Sequence, residues 1–238
     1  GKGKFVRDVL VHGAVLEEAV PGEAVREGGL IDDARADALV AAASALLDEV
    51  GLEGVTIRAV LARTGLARRA FYDRFGGKDH LMLGVFRASL RDAAAQFACQ
   101  IAADERGAAS DPLAALQLVV TGIVLGRAQL ARDGEWEGSR RSAALSREHL
   151  RLAEAQPREL RAAVRPLIDL LADQLALGMA KGSVRRADPH RLASLMYNLV
   201  STSVHAELLA EEDGQPDRLR REQLASDVWQ FCQRAIVA

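Results

Sequence analysis

The sequence predicts an all-α fold: an N-terminal three-helix module built around a helix-turn-helix, followed by a larger helical bundle. Three observations predict it. From Asp33 onward apolar residues recur at helical spacing, and beyond Ala109 no stretch shows strand-like alternation. Alanine, leucine and arginine, which favour helix, dominate the composition. Two short helical segments, Thr56 to Thr64 and Arg68 to Phe75, flank a single Gly65, which is the layout of a helix-turn-helix.

Residues 1–30 read as an N-terminal extension, residues 31–80 as the helix-turn-helix domain and residues 81–238 as the bundle. In the extension a short helix over Phe5 to Val20 is followed by Pro21-Gly22 and Gly28-Gly29 as punctuation. Asp33 is the candidate cap of the first amphipathic helix, whose apolar positions run from Ala36 to Val50 and which Gly51 ends. Thr56 caps the next helix, Gly65 breaks it, and Gly76-Gly77 separates Phe75 from a long helix running from Lys78 through Phe97. Asp111-Pro112 opens a helix from Leu113 to Leu130 that is apolar on nearly every face and belongs inside a bundle. Asp133 to Ser139 reads as a polar loop holding Trp136, a packing residue, and Ala143 to Ala155 as helix. Pro157 starts the following helix, which Pro166 bends or divides before the apolar run Leu167 to Met179. Asp188-Pro189 opens His190 to Glu211, with Leu192, Leu195, Met196, Leu199 and Ser203 on one face and Tyr197, Val204 and Leu208 on another. The last helix carries Leu224, Val228, Trp229, Phe231, Cys232, Ala235 and Ile236. These two terminal helices hold more apolar surface than one bundle side needs, which predicts a subunit interface and a homodimer.

Composition narrows the function. Of the 238 residues 49% are hydrophobic and 27% charged, an ordinary globular balance with room for one or two domains. No apolar run approaches the roughly 18 residues a bilayer span needs, so a soluble protein without membrane partner is expected. Lys2, Lys4 and Arg7 precede an apolar stretch that His12 and Gly13 interrupt and Glu17 and Glu18 close; no secretion signal is read there, and the cytoplasm is the expected location. Cys99 and Cys232 form no CxxC or Cys/His cluster, so two buried, reduced thiols are expected and neither a metal nor a cofactor.

A net charge of −2 excludes adhesion to nucleic acid through the whole surface, so any contact is local. Between Val55 and Leu81 stand Arg58, Arg63, Arg68, Arg69, Arg74 and Lys78 against only Asp73 and Asp79. Val60, Leu66, Phe71 and Phe75 can pack the two short helices on the first, leaving the second short helix free to enter a major groove. Thr56 and Lys78, at helix N-termini, are placed to hold phosphates. Arg68 and Arg69 are placed to reach base edges, Ala70 to meet a thymine methyl, and Tyr72 to pack its ring on the module with its hydroxyl toward backbone. Arg58 and Arg74 complete the basic face.

Tyr72, Phe75, Lys78, Asp79 and Leu81, with Gly51, Thr56, Gly65 and Leu66 before them, resemble the DNA-binding motif of the TetR family of repressors over about Leu39 to Leu81. Four positions depart from that pattern: Leu61 stands for a small alanine, Ala67 for a serine cap, Arg69 for a glycine or small residue, and Asp73 adds an acid. The resemblance implies a DNA-binding N-terminal module, an effector-binding and dimerisation domain behind it, and a repressor on palindromic double-stranded operator DNA. A small-molecule effector entering the bundle would shift the two reading modules and release the operator. A largely aliphatic pocket is expected among Leu113 to Leu130, Leu167 to Met179 and His190 to Glu211. Gln117, Tyr197, Asn198 and His205 are its candidate ligand contacts, with satisfied core or interface roles as their alternative. A TetR-like dimer that has lost DNA binding is a second reading, motivated by Leu61, Ala67 and Asp73. A helical enzyme is a third, but the five histidines are scattered, no serine sits in a nucleophile elbow, and no catalytic group is assigned.

Overall fold

The computed structural model describes residues 34–104, 107–126, 138–212 and 218–238, and Ala34–Ala238 forms one compact unit. The described residues make nine helices: α1 (Ala34–Gly54), α2 (Ile57–Thr64), α3 (Arg68–Tyr72), α4 (Lys78–Ala103), α5 (Pro112–Val124), α6 (Gly138–Ala155), α7 (Pro157–Lys181), α8 (Pro189–Glu212) and α9 (Arg218–Ile236). Their only β pairing is an isolated bridge between Val184 and Val237. No helix among the described residues is long and apolar enough to cross a membrane.

Along α1, Ala36, Leu39, Ala43 and Leu47 lie one turn apart and are buried together. Gly51 leaves helical geometry at φ 75°, ψ −178°, which ends the regular helix where the glycine predicted it. Thr56 caps α2 as expected, its Oγ1 accepting from the Ala59 N–H at 3.1 Å. Gly65 closes α2 in the left-handed region at φ 68°, its N–H donating to the Leu61 carbonyl at 3.0 Å. Helix α3 stops at Tyr72, three residues before the expected Phe75. Beyond it the chain tightens, with the Arg74 N–H on the Phe71 carbonyl at 3.0 Å, as Phe75 is drawn into the core at 1% exposure.

The module's core gathers Leu39, Leu47, Val60, Phe71, Phe75 and Leu81, and it also takes in Ala144 from α6. Gly84 permits the close approach of α4 to α1, since a Cβ there would lie 3.1 Å from Val40 Cγ2. The larger core collects Phe97 of α4, Leu116 and Val119 of α5, Leu171 and Leu175 of α7, Val200 of α8 and Trp229 of α9. Gly122 does for α5 what Gly84 does for α4: a Cβ would meet the Phe97 ring at 2.4 Å.

Several expectations are corrected. Helix α5 ends at Val124 instead of Leu130, with Gly126 at φ 66° just beyond. Helix α7 passes through Pro166 without division. The missing N–H and the ring clash cost about 3 kcal/mol in a lone helix, but burial of Ala163, Val164 and Leu167 around the proline opposes that. Helix α6 begins at Gly138, so Ser139 is helical and not loop; Trp136 lies outside the described residues, as does the extension. Cys99 is exposed on the outer side of α4, whereas Cys232 is buried and its thiol is pushed up to about 11 by desolvation.

Nothing lies within 4 Å of a Cβ built on Gly65, so a side chain there meets only backbone strain. Gly65→Ala is expected to lower unfolding stability by about 1–2 kcal/mol, and Gly65→Asn, which tolerates the left-handed region, by less. Chemical denaturation of both variants checks the order.

Candidate functional site

The exposed side of the helix-turn-helix carries Thr56, Arg58, Arg68, Arg69 and Tyr72, while Ala70, Arg74 and Lys78 are half-buried. Because Thr56 Oγ1 accepts the Ala59 bond, its own hydroxyl proton stays available to an acceptor outside. The Arg68 guanidinium lies 5.6 Å from the Tyr72 ring centroid, with Nη2 3.4 Å from the phenol oxygen. This i, i+4 stack orders Arg68 along the outer side of α3. Tyr72 accepts from arginine through its hydroxyl oxygen and keeps its own proton to donate. Arg69 is exposed beside it.

Not every cation of the segment faces outward. Arg63 forms a bidentate pair with Glu49 at 2.8 and 2.6 Å, tying α2 to α1 and spending its charge locally. The Arg63 hydrogen bonds hold the Glu49 carboxyl below its ordinary range. Lys78 Nζ donates to the Leu52 carbonyl at 3.1 Å, joining the start of α4 to the end of α1 and leaving two further N–H groups. His80 was not among the expected site residues, yet its Nδ1 accepts from the Gly76 N–H at 3.2 Å and its ring stands edge-on to Phe75 at 5.4 Å. It fixes the Gly76-Gly77 turn. Of the four departures, Leu61 packs half-buried at the module core, Ala67 caps α3 with no side-chain bond, and Arg69 and Asp73 are exposed. A hollow of about 480 Å³ beside the turn, between Gly76 to His80 and Gln156, is open and has Leu83 as its one apolar side chain.

A second cavity, of about 190 Å³, lies inside the bundle. Helix α4 contributes Phe86, Leu90 and Phe97, α5 Gly122 and Ile123, and α7 Leu167; α6 contributes Leu145, Ser146 and His149, and α8 Tyr197, Thr202 and His205. Its lining is therefore aromatic and hydroxylated as well as aliphatic, and it centres on α4, α6 and α8. At its polar end Ser146 Oγ is 2.9 Å from His205 Nδ1, and the Tyr197 hydroxyl is 3.4 Å from His149 Nδ1. The His149 ring stands edge-on to Phe86, centroids 6.3 Å apart. Desolvation, and then the neighbouring His205, push His149 below its ordinary value; burial alone pushes the Tyr197 phenol well above its own. Among the described lining residues none is an aspartate, glutamate, lysine or arginine. The described residues also bring no three metal-ligating side chains together.

Of the four expected ligand contacts, the structure brings Tyr197 and His205 to this cavity and leaves Gln117 and Asn198 out of it, both exposed. Gln117 sits between the inward Leu116 and Val119 on the outer side of α5, and Asn198 is rotated about 100° from the buried Tyr197. Sequence reasoning missed Ser146 and His149, whose i, i+3 spacing on an amphipathic helix was the available signal. Helix α6 has a double attachment: Ala144 is buried in the module core, and the next two residues line the cavity.

The described residues thus combine a helix-turn-helix with an arginine-bearing outer helix and an all-helical bundle behind it. Residues 39–85 match the family model of the bacterial regulatory proteins of the tetR family. No protein with a curated description matches the chain in sequence. Its fold is shared by a TetR-family transcriptional regulator from Pectobacterium atrosepticum, at TM-score 0.63 and 20% identity over 85% of this chain and 94% of that one. The fatty acid degradation regulator FadR from Bacillus halodurans superposes at TM-score 0.59 and 18% identity, over 84% and 95%. RolR, solved in complex with resorcinol, superposes at TM-score 0.57 and 16% identity, over 83% and 86%. The chain carries the N-terminal domain of the tetR family, and its helices have the fold of TetR-family transcriptional regulators.

The folded state resists protonation of His149, whose ordinary value is 6.5, more than the unfolded chain does. Its contribution to stability is therefore complete above that value and is lost as pH falls through the lowered one. The melting temperature is expected to fall between pH 7.5 and 5.5, and less steeply in His149→Gln; parallel slopes would refute this assignment.

Proposed function

We propose that the chain is a sequence-specific DNA-binding transcriptional regulator, a homodimer that represses at a palindromic operator and is released by a small-molecule effector. The observation that carries it is the placement of Arg68 and Arg69 on the outer side of α3, in a module whose core is shared with α6, the helix that also lines the cavity. Residues 31–80 serve as the DNA-binding domain and residues 81–238 as the effector-binding and dimerisation domain. Arg68 and Arg69 read base edges, with Ala70 beside them, and Thr56, Arg58, Tyr72, Arg74 and Lys78 position the module on phosphates. An effector acts only by favouring one spacing of the two modules, and α6 is the element whose displacement both sites would feel.

The dimer reading rests on apolar side chains left uncovered: Leu195 on α8 is 59% exposed and Phe231 on α9 is 66% exposed. A two-fold packing of α8 and α9 would cover them and set two modules on half-sites about 34 Å apart. RolR, which shares the fold, is solved in complex with its ligand resorcinol, and that supports a small-molecule effector here. The Ser146–His205 pair lies at nucleophile–base distance, but Ser146 sits inside α6, where backbone N–H groups are engaged and leave no donors for an oxyanion. We therefore assign it to ligand contact.

Two experiments test the reading. Light scattering at micromolar concentration is expected to give about twice the monomer mass, and Leu195→Lys combined with Phe231→Asp to give a monomer. Binding titrations on selected operator and scrambled DNA are expected to show Arg68→Ala and Arg69→Ala losing about 1–3 kcal/mol each on operator only. Lys78→Ala weakens all sequences and lowers the log–log salt slope by about one. Arg63→Ala leaves base preference unchanged. A wild-type protein that dimerises yet prefers no DNA sequence would instead support a dimer that has lost DNA binding, for which the uncapped α3 and exposed Asp73 supply the cause.

A further inference from the structure

We propose that the bundle cavity selects an uncharged, single-ring ligand carrying a hydroxyl group, with the ring between Phe86, Leu90 and Phe97 and the hydroxyl at the Ser146, His149, Tyr197 and His205 end. This deepens the effector reading and rests on it. Size sets the first limit. The cavity measures about 190 Å³, and an apolar cavity of roughly 150 Å³ in another protein accommodates benzene. One substituted ring fills that volume, whereas most of a long acyl chain would lie outside it.

Hydrogen-bond accounting sets the second. Ser146 Oγ and the Tyr197 hydroxyl each lie against an imidazole Nδ1, and we assign the hydroxyls as donors, which puts each imidazole proton on Nε2. The polar end then offers two N–H donors together with the acceptor lone pairs of two hydroxyl oxygens. A ligand hydroxyl, which donates and accepts, matches both; a hydrocarbon matches neither. Charge sets the third. A carboxylate brought into this lining would meet no lysine or arginine among the described residues, and an ammonium would meet no carboxylate, so either would leave a charge poorly compensated.

Calorimetric titration of the full chain without DNA, using toluene, phenol, benzoate and palmitate as probes, tests the selection. Phenol is expected to bind at least tenfold more tightly than toluene and benzoate, and palmitate not to compete with it. Ser146→Ala and His205→Phe are expected to bring phenol down to the affinity of toluene while toluene binding persists, which also reports that the variants remain folded. Equal affinity for phenol and toluene, a preference for benzoate, tight one-to-one binding of palmitate, or no binding of any probe would overturn the proposal. Because the titration contains no DNA, its outcome is separable from that of the operator measurements. A phenol-binding protein without sequence preference would sink the regulator reading and leave the cavity assignment standing.

Discussion

Helices α2 and α3 span eight and five residues, and isolated helices below about 12–15 residues are marginal in water. What holds them is the burial of Val60, Phe71 and Phe75 against α1 and α4. Everything the module presents outward depends on that burial. Arg68 and Arg69 keep a fixed direction because Phe71, two and three positions on, is anchored beneath them. With no side-chain bond at Ala67 to start α3, tertiary packing supplies what capping does not.

The charges of the segment divide by geometry. Arg63, on the surface, pairs with Glu49, half-buried Lys78 bonds the Leu52 carbonyl, and both brace α1 against its neighbours. Arg58, Arg68 and Arg69 remain on the outside. Counting basic residues therefore overstates the binding surface by Arg63, whose guanidinium is engaged bidentately by Glu49, whereas Lys78 makes one internal bond and keeps donors to spare. The cavity shows the same division in polar groups: its histidines and hydroxyls pair with one another across α6 and α8.

Most of the fold was legible in the sequence because its signals are local. Helical spacing marks α1, Thr56 and Gly65 delimit α2, and the Asp-Pro pairs at Asp111 and Asp188 open α5 and α8. What was not legible depends on distant contacts. The end of α3 is set by the burial of Phe75, the continuity of α7 through Pro166 by its packed flanks, and the exposure of Cys99 by which side of α4 the bundle covers. In the cavity, polar residues on apolar helices were visible as a class, but one step along a helix turns a side chain by about 100°. That step separates Asn198 from Tyr197. Ser146 and His149 acquire meaning only through partners 59 and 48 residues away.

The meeting of Gly122 with Phe97 gives the cavity one closely packed wall. There α4 and α5 approach until a single added carbon would collide with the ring at 2.4 Å. Any side chain at position 122 would intrude on that ring, so the α4–α5 wall depends on the glycine, and across the cavity from it stands α6. That helix ends its other attachment in the module through Ala144. The cavity is thus bounded on one side by two helices as close as a missing side chain allows, and on the other by a helix anchored in the module's own core.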